Sequence, residues 1–126
     1  MNDPSAVNTY LFTDIEGSTG HWEREPERMR AALVRHDEVC RSCVLNHGGT
    51  VVKTTGDGIL AVFADPVSAI DAALAAQRSL RDATWTTPSP LRVRMALHAG
   101  AAETRDGDYF GPSLNRVARI LAIGHG

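Results

Sequence analysis

The stretch Thr50-Val51-Val52-Lys53-Thr54-Thr55-Gly56-Asp57-Gly58-Ile59-Leu60-Ala61-Val62-Phe63 sets two β-branched and apolar runs on either side of a Gly-Asp-Gly turn. That pattern reads as a β-hairpin, with strands near 50–54 and 59–63. Asp57 at its tip has an ordinary explanation, because Asp and Gly both tolerate the backbone angles of tight turns. A chemical explanation requires a second carboxylate brought close by the fold.

Upstream of the hairpin, Val7 to Thr13 has the β-branched and aromatic content of a strand with both faces at least partly buried, and Asp14 stands at its C-terminal end. Ile15 to Gly20 is small and glycine-rich and leads towards a helix; the backbone N–H groups around Gly17, Ser18 and Thr19 form a candidate phosphate-holding loop. It is not a Walker loop, since no Gly-Lys-Ser/Thr follows. A plain strand-to-helix connection has the same composition. From about Pro26 to Asn46 runs a helical pattern with Met29, Leu33, Cys40 and Val44 on one side, closed by Gly48-Gly49.

Downstream, Asp65-Pro66 is an N-cap followed by proline at the first helical position. The spacing of Val67, Ile70, Leu74, Gln77 and Leu80 predicts the inward stripe of that helix. Thr84 to Pro90 reads as a loop. Leu91 to His98 alternates apolar with mostly polar residues, as a strand with one face on a core does, and His98 falls on the other face. Gly100 to Asp108 is expected to be a polar loop, and 111–121 a helix with Leu114, Val117, Ile120 and Leu121 buried.

The element order is strand, helix, strand, strand, helix, strand and a final helix. This predicts an α+β fold, a ferredoxin-like βαββαβ antiparallel sheet with helices on one face and an additional C-terminal helix. Right-handed crossovers then place the first and third strands side by side and antiparallel, so the end of the first meets the start of the third. Asp14 and Asp57 become neighbours. Two carboxylates so placed, beside a phosphate-holding loop, can serve a pair of Mg²⁺ ions bridging nucleotide phosphates; without cations they would repel, and one would be expected to hold a proton.

A chain of 126 residues supports one core, with residues 1–6 as a flexible lead-in and 7–126 as the domain. The formal net charge of −2 carries no basic excess of the kind a general nucleic-acid binder shows. No apolar run has the length of a membrane span and the first residues lack a signal-peptide pattern, so no membrane insertion and a cytoplasmic location are expected. Cys40 and Cys43, with His36 one turn earlier, lack the fourth ligand of a structural zinc site and read as buried thiols on a helix face.

Four segments in order resemble the catalytic domain of class III adenylyl and guanylyl cyclases from about residue 8 onward. Phe-Thr-Asp-Ile-Glu-Gly-Ser-Thr at 12–19 is similar to that family's first metal motif, and Lys-Thr-Thr-Gly-Asp-Gly at 53–58 to its second. Ala-Leu-His-Ala-Gly at 96–100 is similar to its central strand end. Asp-Tyr-Phe-Gly-Pro-Ser-Leu-Asn-Arg-Val-Ala-Arg-Ile at 108–120 is similar to its substrate helix.

The resemblance implies that Asp14 and Asp57, with the Ile15 carbonyl, hold two Mg²⁺ or Mn²⁺ ions. It implies that Lys53 and Asp108 read the purine, beside the small Ala118, that Asn115 positions the ribose, and that Arg119 neutralises the α-phosphate. A lysine donor and a carboxylate acceptor match adenine and oppose guanine, so ATP is the implied substrate and 3′,5′-cyclic AMP and pyrophosphate the products. The family's site lies between two subunits, which implies a homodimer with two shared sites. An impaired nucleotide-binding or dimerisation domain, and a guanylyl cyclase, are the alternatives. The family domain usually continues past the position of Gly126, so part of its C-terminal portion is expected to be missing here.

Overall fold

β1, Asn8–Ile15, is the strand on which the rest of the sheet is hung, paired on both sides along most of its length. The structure is a computed structural model that describes residues 7–54, 56–87 and 90–100 with their side chains, together with the backbone of 103–105 and 108–110. After β1 come α1 (Ser18–Arg24), α2 (Pro26–Asn46), β2 (Thr50–Thr54), β3 (Ile59–Phe63), α3 (Pro66–Asp82) and β4 (Val93–Gly100). The main sheet has the order β2-β3-β1-β4 with every pair antiparallel, the strand plan of the ferredoxin-like fold. β5 (Glu103–Arg105) and β6 (Asp108–Phe110) form a small antiparallel hairpin; β5 lies within the stretch expected to be a loop, Gly100 to Asp108, and β6 begins at its last residue. The helix expected over 111–121 lies outside the described residues.

Local chemistry sets the element ends. α2 begins with Pro26 at its first position, and α3 with Pro66 after the Asp65 cap, whose Oδ1 accepts the Ser68 N–H at 2.9 Å. α2 ends in a Schellman turn: Gly48 adopts φ 77°, its N–H reaches Leu45 O at 3.2 Å, and the Gly49 N–H reaches Val44 O at 2.9 Å. Gly49 has a second constraint, because a Cβ there would sit 2.4 Å from the Phe63 ring. The loop after α3 is tied back at two points, Trp85 Nε1 donating to Leu80 O at 3.1 Å and Thr86 Oγ1 to Arg28 O at 2.8 Å.

One sheet face supplies Leu11, Ile15, Ile59, Ala61, Phe63 and Val93 to the main core, and α2 and α3 close over it with Met29, Ala32, Cys40, Val44, Ala69, Ala72 and Leu80. His36, also on α2, is fully buried. Three further expectations need correction. Strand β1 runs on to Ile15, so Asp14 lies inside it, and Ser18 begins a separate helix, α1, instead of continuing a loop. The inward face of α3 consists of Ala69, Ala72, Ala73, Ala76 and Leu80, whereas Val67, Ile70 and Leu74 are exposed. Alanine lets a helix backbone approach a sheet closely, and here that close approach outweighs the larger apolar area of the stripe read from the sequence.

Candidate active site

The second face of the sheet carries the chemistry. In an antiparallel ladder directly opposed residues point to the same side. Tyr10 pairs with Val62 and His98, Phe12 with Leu60 and Ala96, and Asp14 with Arg94. These residues therefore share the face turned away from α2 and α3. Tyr10 and Leu60 are buried there, with Phe12, Val52 and Val62 packed against them, which gives the face an apolar floor. Asp14 stands at one end of it. His98 lies on this face as the alternation predicts, with an Nε2 that is buried and has no hydrogen-bond partner among the described residues.

The β1–β3 register runs from Thr9 against Phe63 to Thr13 against Ile59. Asp57 comes two residues before Ile59, so the turn that holds it adjoins the end of β1 that holds Asp14. The Thr13 hydroxyl clamps this junction, accepting the buried N–H of Ile59 at 3.0 Å. Across the other edge of β1, Arg94 forks onto Asp14, Nε to Oδ1 at 2.7 Å and Nη2 to Oδ2 at 2.7 Å. Those hydrogen bonds raise the Arg94 pKa above its usual value; burial opposes them, and the charges of Asp14, Glu16 and Asp57 add to them. One carboxylate, that of Asp14, thus grips the guanidinium directly, while Glu16 and Asp57 act on it at longer range. The counter-charge that the sequence reading sought from metal or proton is present in the chain itself.

Arg94 is the residue that the sequence reading missed. Its signal was available: the alternation of β4 puts it on the non-core face, and the strand order puts it opposite Asp14. The backbone adds a second tie, since the Glu16 N–H donates to Arg92 O at 2.8 Å. Among the described residues no group of three or more His, Cys, Asp or Glu converges as a metal cage. Two carboxylates still suit a hard divalent ion such as Mg²⁺, which commonly takes one or two carboxylates and completes its shell with substrate phosphates and water.

A β-bulge brings Lys53 onto this face. Thr50 pairs with Val62 and Val51 with Ala61, but the next pair is Lys53 with Leu60, so Val52 is an extra residue. Counting by twos from Val51 would send Lys53 to the core; the extra residue moves it to the side of Leu60, Phe12 and Asp14. β6, which begins with Asp108, lies against β2, bringing the element that carries Asp108 beside the one that carries Lys53. Gly17 adopts φ 66° and caps α1, with Ser18 and Thr19 as the helix's first residues. The side chain of Asp108 and the residues Asn115, Ala118 and Arg119 lie outside the described residues.

Comparison with known proteins agrees with this fold. Residues 3–126 match the family model of the adenylate and guanylate cyclase catalytic domain. An uncharacterised protein of Mycobacterium tuberculosis is 36% identical over 125 residues, which is 98% of this chain and 41% of that protein. The chain thus spans less than half the length of this relative. The adenylate cyclase of Lachancea kluyveri is 32% identical across 98% of this chain, a segment that makes up 8% of that enzyme. A structure of a Trypanosoma brucei adenylate cyclase in its monomeric state superposes with a TM-score of 0.92 at 25% identity, covering 100% of this chain and 73% of that one. The motifs, the sheet order and these matches agree, and the chain belongs to the family of adenylate and guanylate cyclase catalytic domains.

Proposed function

We propose that the domain converts ATP to 3′,5′-cyclic AMP and pyrophosphate at sites shared between two copies of the chain. The observation that carries this reading is the convergence, on one sheet face, of Asp14 and the Asp57 turn with the strand that carries Lys53. The donor set fits a pair of Mg²⁺ or Mn²⁺ ions, held by Asp14, Asp57 and the Ile15 carbonyl. Bound there, such ions lower the pKa of the attacking hydroxyl and balance charge on the leaving phosphates.

The chain's own residues supply the rest. Lys53 donates to adenine N1 and Asp108 accepts from the adenine amino group; guanine reverses both polarities and leaves the two groups unpaired. Asn115 and Arg119 are four residues apart in the sequence, a spacing that puts both on one side of the helix expected there, and in this reading one orients the ribose and the other stabilises the α-phosphate. The backbone at Gly17, Ser18 and Thr19 neighbours the phosphates. In the reaction the ribose 3′-oxygen bonds to the α-phosphorus, the bond to the β-phosphate bridging oxygen breaks, pyrophosphate leaves and the hydroxyl proton passes to solvent. Adenylate cyclases among the relatives support ATP as substrate, including that of Neurospora crassa at 35% identity.

The test is cyclic nucleotide production from ATP and from GTP with Mn²⁺ by the intact chain, Asp57→Ala and Arg119→Ala. Product from ATP in the intact chain, lost in each variant and partly recovered when the two variants are mixed, is the expected outcome. Product from GTP alone would replace this reading with a guanylyl cyclase, and no metal-dependent product from the intact chain would leave a nucleotide-binding or dimerisation domain.

A further inference from the structure

Arg94 does more than neutralise Asp14. Its guanidinium engages both carboxylate oxygens at 2.7 Å, with both side chains about one-fifth exposed. This fork uses the directions from which a carboxylate grips a cation most strongly. A divalent ion placed on the outer lone pairs would share Asp14 with the guanidinium and lie close to it, a like-charge repulsion that partial burial leaves less screened than in bulk water. Glu16 and Asp57 act on the same guanidinium only at longer range; they soften this repulsion, but the fork itself is made to Asp14.

We propose that Arg94 is a displaceable latch on the metal position: Asp14 binds either the Arg94 guanidinium or a divalent cation, and this competition sets the cation affinity of the nucleotide-free chain. The inference rests on the reading of Asp14 and Asp57 as metal ligands. The resting site is thereby kept ordered and charge-balanced, and a cation loads only by releasing an arginine fork. Monovalent cations, with half the charge, compete poorly with that fork. Arg94 is a positioning residue in this scheme, since it acts through Asp14.

The experiment measures Mn²⁺ alone, by electron paramagnetic resonance, on the full chain without nucleotide. Arg94→Lys keeps the charge and removes the fork; it is expected to bind Mn²⁺ about tenfold more tightly than the native chain. Arg94→Ala is expected to gain at least as much, and Asp14→Asn to lose the gain when combined with either. Should Arg94→Ala fail to fold by circular dichroism, Arg94→Lys and Arg94→Gln carry the comparison. Independently, the ¹⁵N-edited Nε–H signal of Arg94, assigned by its loss in Arg94→Lys, is expected to move as Mg²⁺ is added. Mn²⁺ affinity equal in the native chain and Arg94→Lys, or a static Nε–H signal at saturating Mg²⁺, overturns the latch. Absence of Mn²⁺ binding in every form overturns the metal-site reading itself, and the latch with it.

Discussion

The hydroxyl of Thr13 accepts the buried N–H of Ile59 at 3.0 Å, where the end of the central strand meets the start of the third. One residue beyond Thr13 is Asp14, and two residues before Ile59 is Asp57. Thr13→Val keeps the shape and removes the acceptor, leaving a buried donor unpaired. Such a loss costs about 1–3 kcal/mol. Urea unfolding is expected to show that destabilisation, and Mn²⁺ affinity is expected to fall with it because the two carboxylates lose their common anchor. An unchanged midpoint would show that the hydroxyl does not hold the junction.

The inward face of α3 makes opposite predictions for small and large residues. Ala72 is fully buried against the sheet, so Ala72→Leu forces the helix outward at a cost of about 1–3 kcal/mol. Leu74 is half exposed, and Leu74→Gln is expected to change stability by no more than about 0.5 kcal/mol. Reversal of that order in paired thermal melts would restore the stripe that the sequence spacing favours.

Cys40 is buried and its thiol is pushed up to about 12, chiefly by burial and further by the nearby Cys43 and Asp37. A thiol-reactive probe at neutral pH is expected to modify Cys43 well before Cys40 in the folded chain. The linkage has a definite sign. The folded-state pKa lies above the ordinary 9.0, so this contribution to stability is intact below pH 9 and is lost as the pH rises towards 12. In Cys40→Ala the alkaline loss of stability is expected to be smaller, measured by urea titration at stepped pH.

Lys53 stands on the site face through the bulge at Val52. Lys53→Ala is expected to lower kcat/KM for ATP by about tenfold or more while affecting GTP less, because an unpaired purine edge is penalised only where the site was built to pair it. Equal losses for both nucleotides would assign Lys53 to general charge, and no loss would remove it from the base pocket.

What the sequence made legible, and what it hid, follows from the reach of each signal. The β2–β3 hairpin was bounded correctly because β-branched runs on both sides of Gly-Asp-Gly leave few other places for a turn. The meeting of Asp14 with the Asp57 turn followed from topology, since few strand orders satisfy right-handed crossovers. The bulge was hidden because nothing local distinguishes Val51-Val52-Lys53 from regular alternation. The α3 face was misread because two stripes of the same helical period compete, and only the distance to the sheet decides between Ala69-Ala72-Ala76 and Val67-Ile70-Leu74. Arg94 needed the pairing partner of β4 before its meaning emerged. The roles expected of Asn115, Ala118 and Arg119 rest on the sequence and await the enzymatic test.

The Asp14–Arg94 contact joins residues 80 positions apart, across strands that enclose most of the described chain between them. A contact of that reach carries a large loop-closure cost and forms only with the complete sheet. No early hairpin or isolated helix pair can supply this half of the site, so partly folded chains are without it. Any cation that binds there stabilises the entire native state by mass action, in proportion to how far its concentration exceeds its Kd. Titrating the metal position therefore also measures how much of the protein has finished folding.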